Sequence, residues 1–93
     1  MITAFVLVRA ARDRNPETAE ALAAMKFVSE VYSVTGDWDI VVVLRFPHFE
    51  DLDEIVTGHL RKIPGIERTS TMLAFKAFSK ELLDQAFNIG LEG

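Results

Sequence analysis

Around Gly36 the chain gathers the groups that could recognise a small charged molecule. The run Thr35-Gly36-Asp37-Trp38-Asp39 has a glycine that permits close backbone approach and amides that can hold a carboxylate. It also has two carboxylates, Asp37 and Asp39, that can accept from an ammonium group. An α-amino acid offers both of those charges. The same residue types also serve an ordinary turn, because Asp side chains beside a glycine commonly satisfy backbone donors. Further along, Thr69, Ser70 and Thr71 present hydroxyls in succession, a pattern equally consistent with ligand contact and with cross-strand pairing.

Other chemistries have less to work with. The chain has no cysteine, which excludes a disulfide framework, a thiolate metal site and a cysteine nucleophile, and makes a reducing cytoplasm the expected location. His48 and His59 lack the i, i+4 register of a helical metal pair, so neither a metal nor another cofactor is expected. Ten basic residues against 14 acidic ones give a formal charge of −4, opposite to what direct nucleic-acid binding requires. Arg9, Arg12 and Arg14 form too small a cluster to reverse this; with Asp13 among them they read as a solvated or salt-bridged face. Phe5, Tyr32 and Trp38 hint at a base-stacking sheet, but the third strand is aliphatic where an RNA-binding sheet needs basic and aromatic residues. No stretch approaches the roughly 20 apolar residues of a membrane span, and the apolar run Ile2 to Val8 lacks the flanks of a signal peptide.

The elements that must carry these residues are legible from periodicity. In a chain of 93 residues, 49% hydrophobic and 26% charged, one core is expected. Ile2 to Arg9 reads as a strand. Asn15-Pro16 suits an N-cap followed by the first helical residue, and the Ala-rich stretch to Lys26 suits a helix that lies close to a sheet. Phe27 to Thr35 and Trp38 to Phe46 read as strands joined by a tight Gly36-Asp37 hairpin. Leu52, Ile55, Val56, Leu60 and Ile63 fall at helical spacing over Phe49 to Ile63, with an acidic first turn and a basic last turn that complement the helix dipole. Pro64-Gly65 stops this helix, and Ile66 to Phe78 reads as the last strand.

The resulting order, β-α-β-β-α-β, predicts an α+β, ferredoxin-like fold: a four-stranded antiparallel sheet with two helices on one face. Residues 1–78 form the expected ligand-binding and oligomerisation domain. Residues 79–93, with Leu82, Leu83, Ala86 and Phe87 on one stripe, form an expected C-terminal helical extension. Because both crossovers lie on one side, the other sheet face is bare, and the runs Ile40 to Leu44 and Met72 to Phe78 make it apolar. Pairing with a second copy would cover it, the alternative being that the tail folds back over its own sheet.

Three stretches taken in order carry a family resemblance: Val31-Tyr32-Ser33-Val34-Thr35-Gly36-Asp37-Trp38-Asp39, then Leu60-Arg61-Lys62-Ile63-Pro64-Gly65-Ile66, then Thr69-Ser70-Thr71. Together they resemble the effector-binding (RAM) domain of the Lrp/AsnC, or feast/famine, transcription regulators. Full-length members carry an N-terminal helix-turn-helix for which this chain has no room, so it resembles a stand-alone member. The resemblance implies a homodimer that builds a tetramer of dimers, an octamer, with an amino-acid effector held where dimers meet. It implies that Ser33, Thr35, Gly36, Asp37, Trp38, Asp39, Thr69, Thr71 and Met72 are the residues at that site. It further implies a regulatory rather than enzymatic role, exercised alone or through a full-length Lrp/AsnC partner. Two other readings share the strand order. A small dimeric α+β-barrel enzyme of monooxygenase or isomerase type would need Tyr32, His59 and Arg9 to converge, and an ACT-like regulatory domain would pair its sheets side by side.

Overall fold

The structure, a computed structural model, describes residues 1–78 and Lys80. Strands β1 (Ile2–Ala10), β2 (Val28–Ser33), β3 (Ile40–Phe46) and β4 (Ile66–Ala74) form one sheet in the order β2-β3-β1-β4, every neighbouring pair antiparallel. Helix α1 (Asn15–Ala23) connects β1 to β2, and a helical segment, α2 (residues 49–62), connects β3 to β4. This is the ferredoxin-like arrangement expected from the sequence. The extension expected over residues 79–93 lies outside the described residues, Lys80 excepted.

Alternation decides which face each strand residue serves. Ala4, Val6, Val8 and Ala10 of β1 and Ile40, Val42, Leu44 and Phe46 of β3 are buried in one cluster with Leu22 of α1 and Ile55, Val56 and Leu60 of α2. Both helices therefore cover the same face. Burying each larger aliphatic or aromatic side chain contributes roughly 1.5–3 kcal/mol, so this cluster dominates folding. The unbroken apolar run of β3 serves both sides: Val41 and Val43 face away from the helices, opposite Leu7 and Phe5 of β1. Val43 is buried even there, between the central strand and Glu30 of β2. Phe5, Leu7, Val41, Val43, Met72 and Tyr32 thus form an apolar face that no other described element covers, with Met72 and Tyr32 about half exposed.

Several boundaries differ from expectation, each for a local reason. Asn15 is not the N-cap: a 3-10 turn, Arg12–Arg14, runs straight into α1, so Asn15 is already helical (φ −54°, ψ −49°) and Arg14 holds the cap position. Strand β3 begins at Ile40 rather than Trp38, because Asp39 is drawn into the hairpin. Its N–H donates to the Val8 carbonyl (3.0 Å) and its carbonyl accepts from Val34 (2.9 Å). Strand β4 ends at Ala74 rather than Phe78, since Ala74 pairs with Thr3 at the start of β1. Segment α2 is no regular α-helix but passes through a 3-10 turn, a π turn (Glu54–His59) and a second 3-10 turn. At Gly58, inside the π turn, the Glu54 carboxylate lies where a Cβ would stand, 2.7 Å from that position.

The turn after α2 is fixed tightly. Gly65 has φ +96°, and a Cβ there would collide with Thr18 Oγ1 of α1. The buried Thr18 hydroxyl donates to the Pro64 carbonyl (3.2 Å), and the Ala11 N–H donates to the Gly65 carbonyl (2.8 Å). This knot joins the start of α1, the end of β1 and the start of β4 at one end of the sheet.

Candidate functional site

At that end lies an open pocket of about 430 Å³ lined by Arg9, Ala10, Arg12, Gly36, Asp37, Asp39 and Glu67. Three chain segments build it. The β2–β3 hairpin supplies Gly36, which has φ +104° and no atom within 4 Å of a would-be Cβ, so the space beside its Cα is open. The end of β1 and its following turn supply Arg9 and Arg12. Strand β4 supplies Glu67 through an irregularity: Arg9 pairs with Arg68 but Ala10 pairs with Ile66, leaving Glu67 unopposed. Such a bulge re-aims a side chain that regular pairing would have sent elsewhere.

Two hydrogen bonds fix the hairpin to β1. Asp39 Oδ2 accepts from the Ala10 N–H (2.9 Å), completing a ladder that has run out of β3 partners. Arg9 donates through Nε (3.2 Å) and Nη2 (2.5 Å) to the Asp37 carbonyl. The Arg9 guanidinium also lies 5.6 Å from the centre of the Trp38 ring, and Arg68 approaches the same ring at 5.8 Å. Among the described residues, Arg9, Arg12, Asp37, Asp39 and Glu67 form no ion pair. The pairs that do form are Arg45–Glu30 (3.5 Å) and His59–Glu54 (3.4 Å), both elsewhere. The pocket therefore holds both signs of charge close together but uncommitted to one another.

Of the residues singled out from the sequence, the structure brings Gly36, Asp37 and Asp39 into this pocket, with Trp38 beside it against Arg9. Ser33 and Thr35 are exposed on the hairpin. Thr69 and Thr71 pair with Val8 and Val6, which places them on the helix-covered face at the edge of the sheet. Thr71 lines a separate cleft of about 380 Å³ against α2, with Phe49, Leu52 and Val56 among its walls. Met72, opposite Phe5, belongs to the uncovered face. Within one protomer the hairpin and β4 residues therefore do not form a single site. A third cavity, about 540 Å³, is lined by Met25, Lys26, Phe27, Asp51, Glu54, Ile55 and His59. Tyr32 donates its hydroxyl to Glu30, away from both Arg9 and His59.

Sequence reasoning missed Arg9, Arg12 and Glu67 as pocket residues. Arg9 was legible only as a solvent-facing strand position, and Arg12 depends on the 3-10 turn after β1. Glu67 depends on a bulge that no local pattern announces.

The fold and the pocket together define a small α+β domain with an open charged pocket at one end of its sheet. Residues 3–83 match the family model of the Lrp/AsnC ligand binding domain, and the chain belongs to that family. It is 39% identical over 83 residues to an uncharacterized HTH-type transcriptional regulator of Pyrococcus furiosus, covering 86% of this chain and 55% of that one. It is 38% identical over 73 residues to the HTH-type transcriptional regulator FL11 of Pyrococcus horikoshii, covering 78% of this chain and 48% of that one. The chain thus spans about half the length of the curated relatives it matches. Among solved structures, a Thermus thermophilus protein superposes with a TM-score of 0.81 at 46% identity, covering 86% of this chain and all of that one. A Neisseria meningitidis transcriptional regulator in complex with L-methionine shares the fold, with a TM-score of 0.75 at 19% identity, covering 84% of this chain and 52% of that one.

Proposed function

We propose that this domain is a regulatory, non-enzymatic sensor that binds an amino-acid effector in the Gly36 pocket and couples binding to self-association. The observation that carries the reading is the pocket itself, with guanidinium and carboxylate groups a few residues apart, free of mutual ion pairs and beside a glycine with open space around its Cα. A zwitterion matches that arrangement: its carboxylate suits Arg12 and the Gly36 amide, and its ammonium suits Asp37 and Glu67. The Neisseria relative's methionine complex supports the same ligand class.

The uncovered face of Phe5, Leu7, Val41, Val43, Met72 and Tyr32 supports a face-to-face homodimer, since a contiguous apolar patch of this kind marks an interaction surface. In this reading dimers associate further into a tetramer of dimers, which would bring Thr69, Thr71 and Ser33 of neighbouring copies toward the hairpin. Residues 1–78 then form the sensing and assembling unit. An effector held by two copies would shift the balance of assembly states by its differential affinity for them. The regulatory names of the relatives support a DNA-binding Lrp/AsnC protein in the cytoplasm as the partner that reads this shift.

The test is a thermal-shift screen of the full chain against the twenty amino acids, read with the mass in solution. Stabilisation by one or a few of them, together with a change in mass, is the expected result. Unchanged melting and mass at saturating concentrations of every class would overturn the proposal.

A further inference from the structure

Resting on the reading that the Gly36 pocket takes an amino acid, we infer that it selects one with a second cationic group, a basic side chain of the lysine or arginine kind. The charges that line the pocket do not balance. Arg9 is committed, since it donates twice to the Asp37 carbonyl and covers the Trp38 ring. Asp39 has given Oδ2 to the Ala10 N–H. These bonds run to neutral backbone groups and cancel no charge, so Arg9 and Arg12 stand against three carboxylates, Asp37, Asp39 and Glu67. Arg12 remains the cation for a ligand carboxylate, while Asp37 and Glu67 keep both carboxylate oxygens for a ligand. The α-ammonium of any amino acid satisfies one of these. The other is left without a cation opposite it, and a cationic side chain supplies one.

The pocket walls point the same way. Among the described lining residues the only aliphatic side chain is the methyl of Ala10, itself buried, so a leucine or methionine side chain would find little apolar surface to cover. Two other cavities differ sharply, with Met25, Phe27 and Ile55 in one and Phe49, Leu52 and Val56 in the other. Glu67 is the distinctive element, because the bulge that leaves it unopposed on β4 is what brings a second whole carboxylate to the site.

Isothermal titration of the full chain with L-lysine, L-arginine and L-norleucine tests this, norleucine being lysine with its terminal ammonium removed. At least one basic amino acid should bind roughly tenfold or more tightly than norleucine, the scale of one charge-assisted hydrogen bond. Glu67→Gln should bring that ratio close to one while norleucine binding persists, and Asp37→Asn serves as a second variant should the first fail to fold. Binding of norleucine and the basic amino acids with equal affinity would overturn the inference and leave the amino-acid site standing. Failure of all twenty amino acids to bind would overturn both.

Discussion

Replacing Asp39 with alanine removes the acceptor that holds the hairpin to β1, and the structure sets the size of the effect. The Ala10 N–H donates to Asp39 Oδ2 at 2.9 Å, and Ala10 is only 4% exposed. Without the carboxylate this buried donor has no protein acceptor, which costs about 1–3 kcal/mol. In a domain of this size each kcal/mol lowers Tm by roughly 4–8 °C, so a fall on the order of 10 °C is expected. Asp39→Asn keeps a carbonyl oxygen in the same place and should lose much less, since only the charge assistance of the bond disappears. Urea unfolding followed by circular dichroism gives the comparison, with all variants at one protomer concentration because association adds to apparent stability. An Asp39→Ala loss within about 0.5 kcal/mol, the range of an ordinary surface change, would refute the role assigned to this bond. The pair of variants also separates the hairpin's integrity from ligand contact, which alanine alone would confound.

Other consequences follow from the same geometry. Gly65→Ala should destabilise by more than about 2 kcal/mol, because φ +96° is unfavourable for any L side chain and the new Cβ would meet Thr18 Oγ1. Gly36→Ala, with a similar φ but open space around it, should cost only about 1–2 kcal/mol, and equal losses in the two urea curves would contradict the packing described at Gly65. Met72→Glu and Val41→Lys, on the uncovered face, should shift sedimentation toward the protomer mass while leaving the circular dichroism spectrum unchanged; an unaltered mass would place the self-association surface elsewhere. Trp38 is the only tryptophan, and it lies beside Arg9 at the pocket edge. Its emission should respond to the effector that stabilises the chain, and a silent titration at saturation would detach the hairpin from binding.

The fold was legible because its signals are local and repeated. The β-branched and aromatic run Ile2 to Arg9 and the helical spacing of Leu52, Ile55, Val56 and Leu60 each mark an element, and their order leaves few topologies. The boundaries were less legible, because they depend on partners distant in sequence. Asp39 leaves β3 to bond with β1, Asn15 is taken into the helix by the turn before it, and β4 stops opposite Thr3, near the start of β1. The candidate site was half legible. Gly36, Asp37 and Asp39 are contiguous and carry a turn's chemistry, so composition alone marks them. Arg9, Arg12 and Glu67 come together only through register, a 3-10 turn and a bulge, none of which periodicity encodes. Thr69 and Thr71 stand on the sheet's other face from Met72, a separation that strand parity already requires.

The most direct measurement is hydrogen–deuterium exchange of the full chain with and without the amino acid that stabilises it most. Effector binding in the pocket predicts slower exchange at residues 9–12, 35–39 and 66–68, the segments that line it. Protection confined to residues 25–27 and 51–59 around the third cavity, or none at all, would contradict the account.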